Sequence, residues 1–341
     1  MSLRKISKVI FINFIIIFIF YLIIEIFSGD LIYKRTLKCS YVLCDAKYSY
    51  FTTLYTKDKI KIEYNKDNFG LRGRKNKINE IDILVVGGST TDERYINLES
   101  TWAEKLEKLF IKQGADIDVV NAGIDGQSTF GHIWNFESWF NKIENFKSQY
   151  ILFYIGTNEK NYSGRHDLDI TKVPYPKKIL YFLKYNNGLT NKLYEFVVHK
   201  YNPIDELNVA HSKNRNPKYM KVGSNFSYKF ENLEKNIERL IELSFKLNSK
   251  PIFVTQKTLR WKIIKSEIYS ISKDDNYYLK EKKISEIILK VCNKYNLICL
   301  DGFNDINFNL KDTYDLVHTN PTGSEKIARF IFKEIQSKIN Y

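Results

Sequence analysis

Three residues of this chain have the types and spacing to do chemistry together. Ser89 ends the run Ile83-Leu-Val-Val-Gly-Gly-Ser89, and Asp315 and His318 are three residues apart in Asp315-Leu-Val-His318. A serine hydroxyl is a weak nucleophile until a neighbouring base takes its proton. Histidine titrates near neutral pH without help, so it suits that task. A carboxylate on its other ring nitrogen fixes the tautomer. The chemistry of such a set is acyl transfer through a covalent acyl-enzyme. That reaction develops a negative oxygen, which needs aimed hydrogen-bond donors. The candidates are the backbone N–H of Ser89, that of Gly126 and the side-chain amide of Asn158, with Gly123 as the rival glycine. No metal or organic cofactor is required, and His132, His166, His199 and His211 have no acidic partners at metal spacing. Those four histidines read as surface or lid residues. Each signal alone has a plain structural reading. Ser89 can be a turn serine, Thr319 or Asn320 a helix cap before Pro321, Gly126 a left-handed turn residue and Asn158 a loop cap.

The surrounding pattern supplies elements that can position these groups. Short apolar runs at 83–86, 117–120, 150–155, 251–255 and 297–300 read as strands. Helical spacing is found at 102–112, 133–143, 230–247 and 280–295 and from Pro321 onward. Strands alternating with helices predict a three-layer α/β/α sandwich around a parallel sheet of about five strands, of the flavodoxin-like kind. In such a sheet the loops after successive strands emerge at one edge. Ser89, Gly126 and Asn158 each follow a strand, and the Asp315–His318 loop can return to the same edge. Residues 160–225 carry four prolines and break this rhythm, which predicts an insertion or lid. Residues 28–80 form a mixed connection with weak strand signals. They include Asn68-Phe-Gly-Leu-Arg72-Gly73 just before the main fold. Tyr154 and Trp261 are candidates to line a pocket, although core packing accounts for them as well.

Residues 9–27 are an almost unbroken apolar run, VIFINFIIIFIFYLIIEIF. As a helix this run spans roughly 28 Å, close to the hydrocarbon thickness of a bilayer. Arg4, Lys5 and Lys8 precede it and favour a cytoplasmic N-terminus at residues 1–8, although Lys34, Arg35 and Lys38 follow it. No small-x-small cleavage site follows, so the expectation is an uncleaved single-pass anchor. The body would then face the periplasm or the cell exterior. In that compartment Cys39 and Cys44 are able to form a small-loop disulfide, while Cys292 and Cys299 read as core positions. The formal charge of +14 has a plain reading as a solvated, Lys-rich surface, and it also suits an acidic glycan or a lipid head-group surface. No zinc-finger, RNA-recognition or helix-turn-helix signature is present, which disfavours nucleic acid as a partner.

Taken together, the blocks Gly87-Gly88-Ser89, Asn121 to Gly126, Gly156-Thr157-Asn158-Glu159 and Asp315-x-x-His318 resemble the SGNH (GDSL-type) hydrolase family. The resemblance covers about residues 81–341. It implies Ser89 as nucleophile, His318 as base, Asp315 as its orienter, and Gly126 and Asn158 as oxyanion donors beside the Ser89 N–H. The chain departs from the family pattern at three positions. Gly88 stands for the usual Asp, Thr90 for the usual Leu and Glu159 for the usual Asp. The Gly-Gly-Ser-Thr-Thr form behind an N-terminal anchor is similar to a bacterial branch associated with surface polysaccharide. The implied activity is hydrolysis of O-acetyl or other short acyl esters on a carbohydrate. The same triad would serve an O-acetyltransferase, and a non-catalytic, membrane-tethered glycan-binding protein is the competing class.

Overall fold

The computed structural model describes residues 3–28, 42, 44–159 and 216–340. Helix α1 (Leu3–Ser28) belongs to a unit separate from the α/β body. Its Arg4–Ile24 stretch is long and apolar enough to cross a membrane and buries nothing. It is apolar around its whole circumference, as a membrane helix is. A signal sequence meets the same description. Residues 160–215, most of the expected insertion, lie outside the described residues. So do Cys39, His166, His199 and His211.

The body is built on five parallel strands, β3 (Ile81–Gly87), β4 (Val119–Asn121), β5 (Ser148–Ile155), β7 (Lys250–Thr255) and β10 (Ile298–Leu300). Their order across the sheet is β10-β7-β5-β3-β4. The strands are near-continuous apolar runs because both faces are covered. From β3 the chain moves to one side, to β4, and then crosses back to β5 on the other. The crevice between the carboxyl ends of β3 and β5 is therefore the topological switch point, where folds of this class place their ligands.

One face packs against α3 (Trp102–Lys112) and the C-terminal α8 (Pro321–Ile335), which follows the single-turn α7 (Gly302–Asp305). There Ile83, Val85, Leu152 and Val254 meet Trp102, Phe110, Ile327 and Ile331 in one core. The other face is covered by α4 (Thr129–Ser138), α5 (Leu233–Lys246) and α6 (Tyr277–Lys294). On that side Phe153 stacks on Phe253 with ring centroids 4.9 Å apart, and Phe136 lies over Phe153. This gives the three expected layers.

Several features differ from the sequence reading. The 28–80 connection contains an antiparallel hairpin, β1 (Lys47–Thr52) with β2 (Ile60–Asn65). After β7, a hairpin of β8 (Trp261–Ile264) and β9 (Glu267–Ser270) pairs with the short β6 (Met220–Lys221). The expected helix over 133–143 is instead α4 followed by a 3-10 turn at Phe140–Lys142, and the chain turns at Trp139. Cys292 and Cys299 are bonded to each other. Cys292 lies in the last turn of α6 and Cys299 in β10 only seven residues on, so the tight turn between them brings the sulfurs together. Cys44 is also disulfide-bonded.

Candidate active site

Ser89 follows β3 directly and opens α2 (Ser89–Asp92). The Gly88 carbonyl accepts the N–H groups of Thr91 and Asp92 at 2.9 and 3.0 Å, which closes this tight turn. The Arg72 side chain holds its far end. Its guanidinium donates to the carbonyls of Asp92, Glu93 and Ile96 at 2.8, 3.0 and 2.6 Å. Carbonyls at a helix end have no intrahelical partner, so a buried cation there satisfies several at once. Arg72 also pairs through its backbone with Asn121 at the end of β4. The upstream Asn68–Gly73 segment therefore acts as a brace under the Ser89 turn.

Ser89 Oγ lies 2.7 Å from His318 Nε2, and His318 Nδ1 lies 2.7 Å from Asp315 Oδ2. Asp315 Oδ1 accepts the backbone N–H groups of Val317 and His318 at 2.7 and 2.6 Å. Burial pushes the Asp315 carboxyl up, but the hydrogen bonds and charge of His318 and these backbone donors outweigh it and hold it below the usual range. An ionised Asp315 makes Nδ1 the protonated ring nitrogen, which leaves the Nε2 lone pair facing the serine. The His318 ring stacks on Tyr314, centroids 5.6 Å apart. Its side chain is 22% exposed and that of Asp315 7%, so the row opens at the histidine end and closes at the acid end.

The donor candidates gather beside the serine. A Cβ at Gly88 would lie 2.4 Å from Asn158 Nδ2, so Asn158 packs directly on the Gly88 backbone. One N–H of that amide donates to the Gln127 carbonyl at 2.9 Å. Asn158 thus bridges the loop after β3 and the loop after β4. Gly126 turns with φ +74°, a conformation that suits glycine. Among the described residues the N–H groups of Ser89 and Gly126 have no protein acceptor, and Asn158 keeps its second N–H. Gly123 is different. It is buried against α2, and its N–H is spent on Asn121 Oδ1 at 2.8 Å.

The three departures from the family pattern each have a local partner. Gly88 leaves room for Asn158. Thr90 accepts a hydrogen bond from Gln256 Nε2 at 2.8 Å, and Gln256 Oε1 accepts from the Thr157 N–H at 2.7 Å. Glu159 accepts from the Thr129 N–H at 2.6 Å at the start of α4. Gln127, Gln256 and Glu93 were missed by sequence reasoning. A polar residue just after β7 was the available signal for Gln256, and the place next to Gly126 was the signal for Gln127. Glu93 carried none. It ends α2 and is buried, with Oε2 accepting from the Trp102 N–H at 2.7 Å. Its Oε1 accepts from Thr319 at 2.9 Å and Ser324 at 2.5 Å. Burial pushes this carboxyl up to about 7.

His132 is not a surface or lid residue. It is buried beneath Gln127, 3.2 Å from that side chain, and burial pushes its pKa down to about 3. Tyr154 is a core residue whose ring meets Trp102 edge-on, and Trp261 donates to Glu281 at 2.8 Å. No metal-holding group of histidine, cysteine, aspartate or glutamate is found among the described residues.

No protein-family model matches the chain, and no curated protein matches it. Solved structures do. A putative acylhydrolase from Bacteroides fragilis is 15% identical, with 79% of this chain and 92% of that one covered and a TM-score of 0.42. A psychrotrophic esterase from Pseudoalteromonas, inhibited by monoethylphosphonate, is 13% identical over 75% and 97%, at 0.40. A member of the lipolytic G-D-S-L family from Veillonella parvula is 15% identical over 76% and 100%, at 0.42.

Proposed function

We propose that this chain is a serine ester hydrolase in which Ser89 attacks the ester carbonyl. His318 takes the hydroxyl proton and returns it to the leaving alkoxide, so the ester C–O bond breaks as the acyl–serine bond forms. Water then attacks the acyl-enzyme, with His318 again as base. The observation that carries this reading is the unbroken hydrogen-bond row from Ser89 Oγ through His318 to Asp315. The unspent N–H groups of Ser89 and Gly126, with the Asn158 amide, are the oxyanion donors in this reading.

The body faces an oxidising compartment beyond the cytoplasmic membrane, with α1 as its anchor. The bonded Cys292–Cys299 pair and the bonded Cys44 support export, and the basic residues before the apolar run support a cytoplasmic N-terminus. The substrate class is an O-acetyl or other short acyl ester on a carbohydrate, which rests on the block resemblance and the basic body. A fluorophosphonate probe tests the chemistry. It should label the wild type and leave Ser89→Ala unlabelled. Equal labelling of the two removes Ser89 from its role.

A further inference from the structure

A groove of about 570 Å³ opens beside the loop that carries Asp315 and His318. It is joined to that loop twice. Leu310 and Lys311 of its wall run directly into the loop, and the Leu259 N–H of its floor donates to the Leu316 carbonyl at 2.8 Å.

Two flat rings line the groove, and both are fixed. The Tyr219 hydroxyl donates to the Leu259 carbonyl at 2.6 Å, and the Trp261 indole N–H donates to Glu281. Lys262 Nζ lies 4.4 Å from the Tyr219 ring centroid, and Lys257 Nζ lies 5.2 Å from that of Trp261. Among the described residues Lys262 and Lys311 have no carboxylate partner, whereas Lys257 is within the field of Glu281. Glu281, the acid behind the floor, is already occupied by Thr258, Trp261 and Arg260. The groove therefore presents uncompensated positive charge. On the wall, Asn309 Oδ1 accepts from the Lys311 N–H at 2.9 Å. Its amide N–H₂ has no partner among the described residues.

We propose that this groove is a binding subsite for a carboxylate-bearing sugar, a uronate unit of the polymer that carries the ester. The inference rests on the ester-hydrolase reading and names its substrate class as an acidic glycan. The Tyr219 ring and the exposed Leu310 side chain offer apolar surface to the C–H face of a pyranose over the Trp261 floor, the Asn309 amide donates to a ring hydroxyl, and Lys262 and Lys311 pair with the carboxylate. The alternative occupant is an anionic lipid surface, since Ile263 and Ile264 are exposed on the same hairpin. The recessed floor favours the sugar. Trp261 is only 8% exposed, whereas a bilayer is met by protruding aromatic and aliphatic side chains.

The test uses the full chain in neutral phosphatidylcholine nanodiscs. An oligogalacturonate, a neutral galactan oligomer of equal length and phosphatidylglycerol vesicles are titrated against the wild type, Ser89→Ala and the double variant Lys262→Ala/Lys311→Ala. The uronate should bind the wild type and Ser89→Ala alike, about tenfold or more tighter than the galactan. The lysine variant should lose that preference while its aryl acetate turnover stays unchanged. Equal binding of the two oligomers, no binding of the uronate, or binding of the vesicles alone overturns the proposal. Aryl acetate turnover retained by Ser89→Ala would overturn the ester-hydrolase reading instead, and the uronate titration would still decide the groove.

Discussion

Gly88 shows how one missing atom can shape a site. The side chain of Asn158 occupies the place where a Cβ would stand, within 2.4 Å of its amide nitrogen. Gly88→Ala must therefore push Asn158 away from the Ser89 turn, or open the turn itself. Removing one oxyanion donor from such a site typically costs about 10²–10³ in rate. Gly88→Ala should accordingly lower kcat on an aryl acetate by about that factor, with KM little changed. Circular dichroism should show the fold intact. A variant with wild-type kcat would show that the close approach of Asn158 is not used. The glycine doublet was visible in the sequence, but its reason was not, because Asn158 lies seventy residues away and meets Gly88 only across the switch point.

At the level of elements, α2 is a single turn with too few internal hydrogen bonds to hold itself. Its shape comes from its neighbours. The β3 strand feeds it, Arg72 closes its far end, and Asn121 Nδ2 donates to the Thr91 carbonyl at 2.5 Å. Arg72 is almost wholly buried, so its removal leaves three buried carbonyls without their donor. Each orphaned group costs about 1–3 kcal/mol. Arg72→Met, which keeps the stem volume, should lower stability by about 3 kcal/mol or more in urea unfolding. In whatever fraction remains folded it should also slow labelling of Ser89 by the fluorophosphonate. Unchanged labelling would mean that the serine turn stands without its brace. The strands and most helices were legible because their apolar periodicity is local. The β8–β9 hairpin was not, since two of its isoleucines face solvent and the segment has no buried alternation to read.

Across the whole body, Glu93 joins segments that are more than two hundred residues apart. It ends the serine's turn and holds Thr319 and Ser324, beside the histidine's loop. Its carboxyl is pushed by burial from the ordinary 4.5 to about 7, and the hydrogen bonds from Ser324, Trp102 and Thr319, then the charge of Arg72, pull against that rise. The folded chain therefore holds a proton that the unfolded chain has released. This contribution to stability is complete below about pH 4.5 and is lost as the pH rises through about 7. Asp118, pushed up to about 6 by burial and by Glu107, acts in the same direction. His132, pushed down to about 3 by burial, acts in the opposite direction below about pH 6.5, so the Glu93 contribution is read as a difference: Tm should decline more, or rise less, between about pH 5 and pH 8 in the wild type than in Glu93→Gln. An equal slope in both proteins would place the Glu93 titration elsewhere. What the sequence determined by itself is the alternation of strands and helices, the apolar N-terminal run and the identity of the serine, histidine and aspartate, because residue type and local period are written in one dimension. The three-dimensional fold alone decided that Gly126 rather than Gly123 keeps its N–H unspent, that His132 is buried, and that Cys292 meets Cys299. Each of those depends on which distant backbone comes to rest beside the residue, and only the packed sheet and its crossovers fix that.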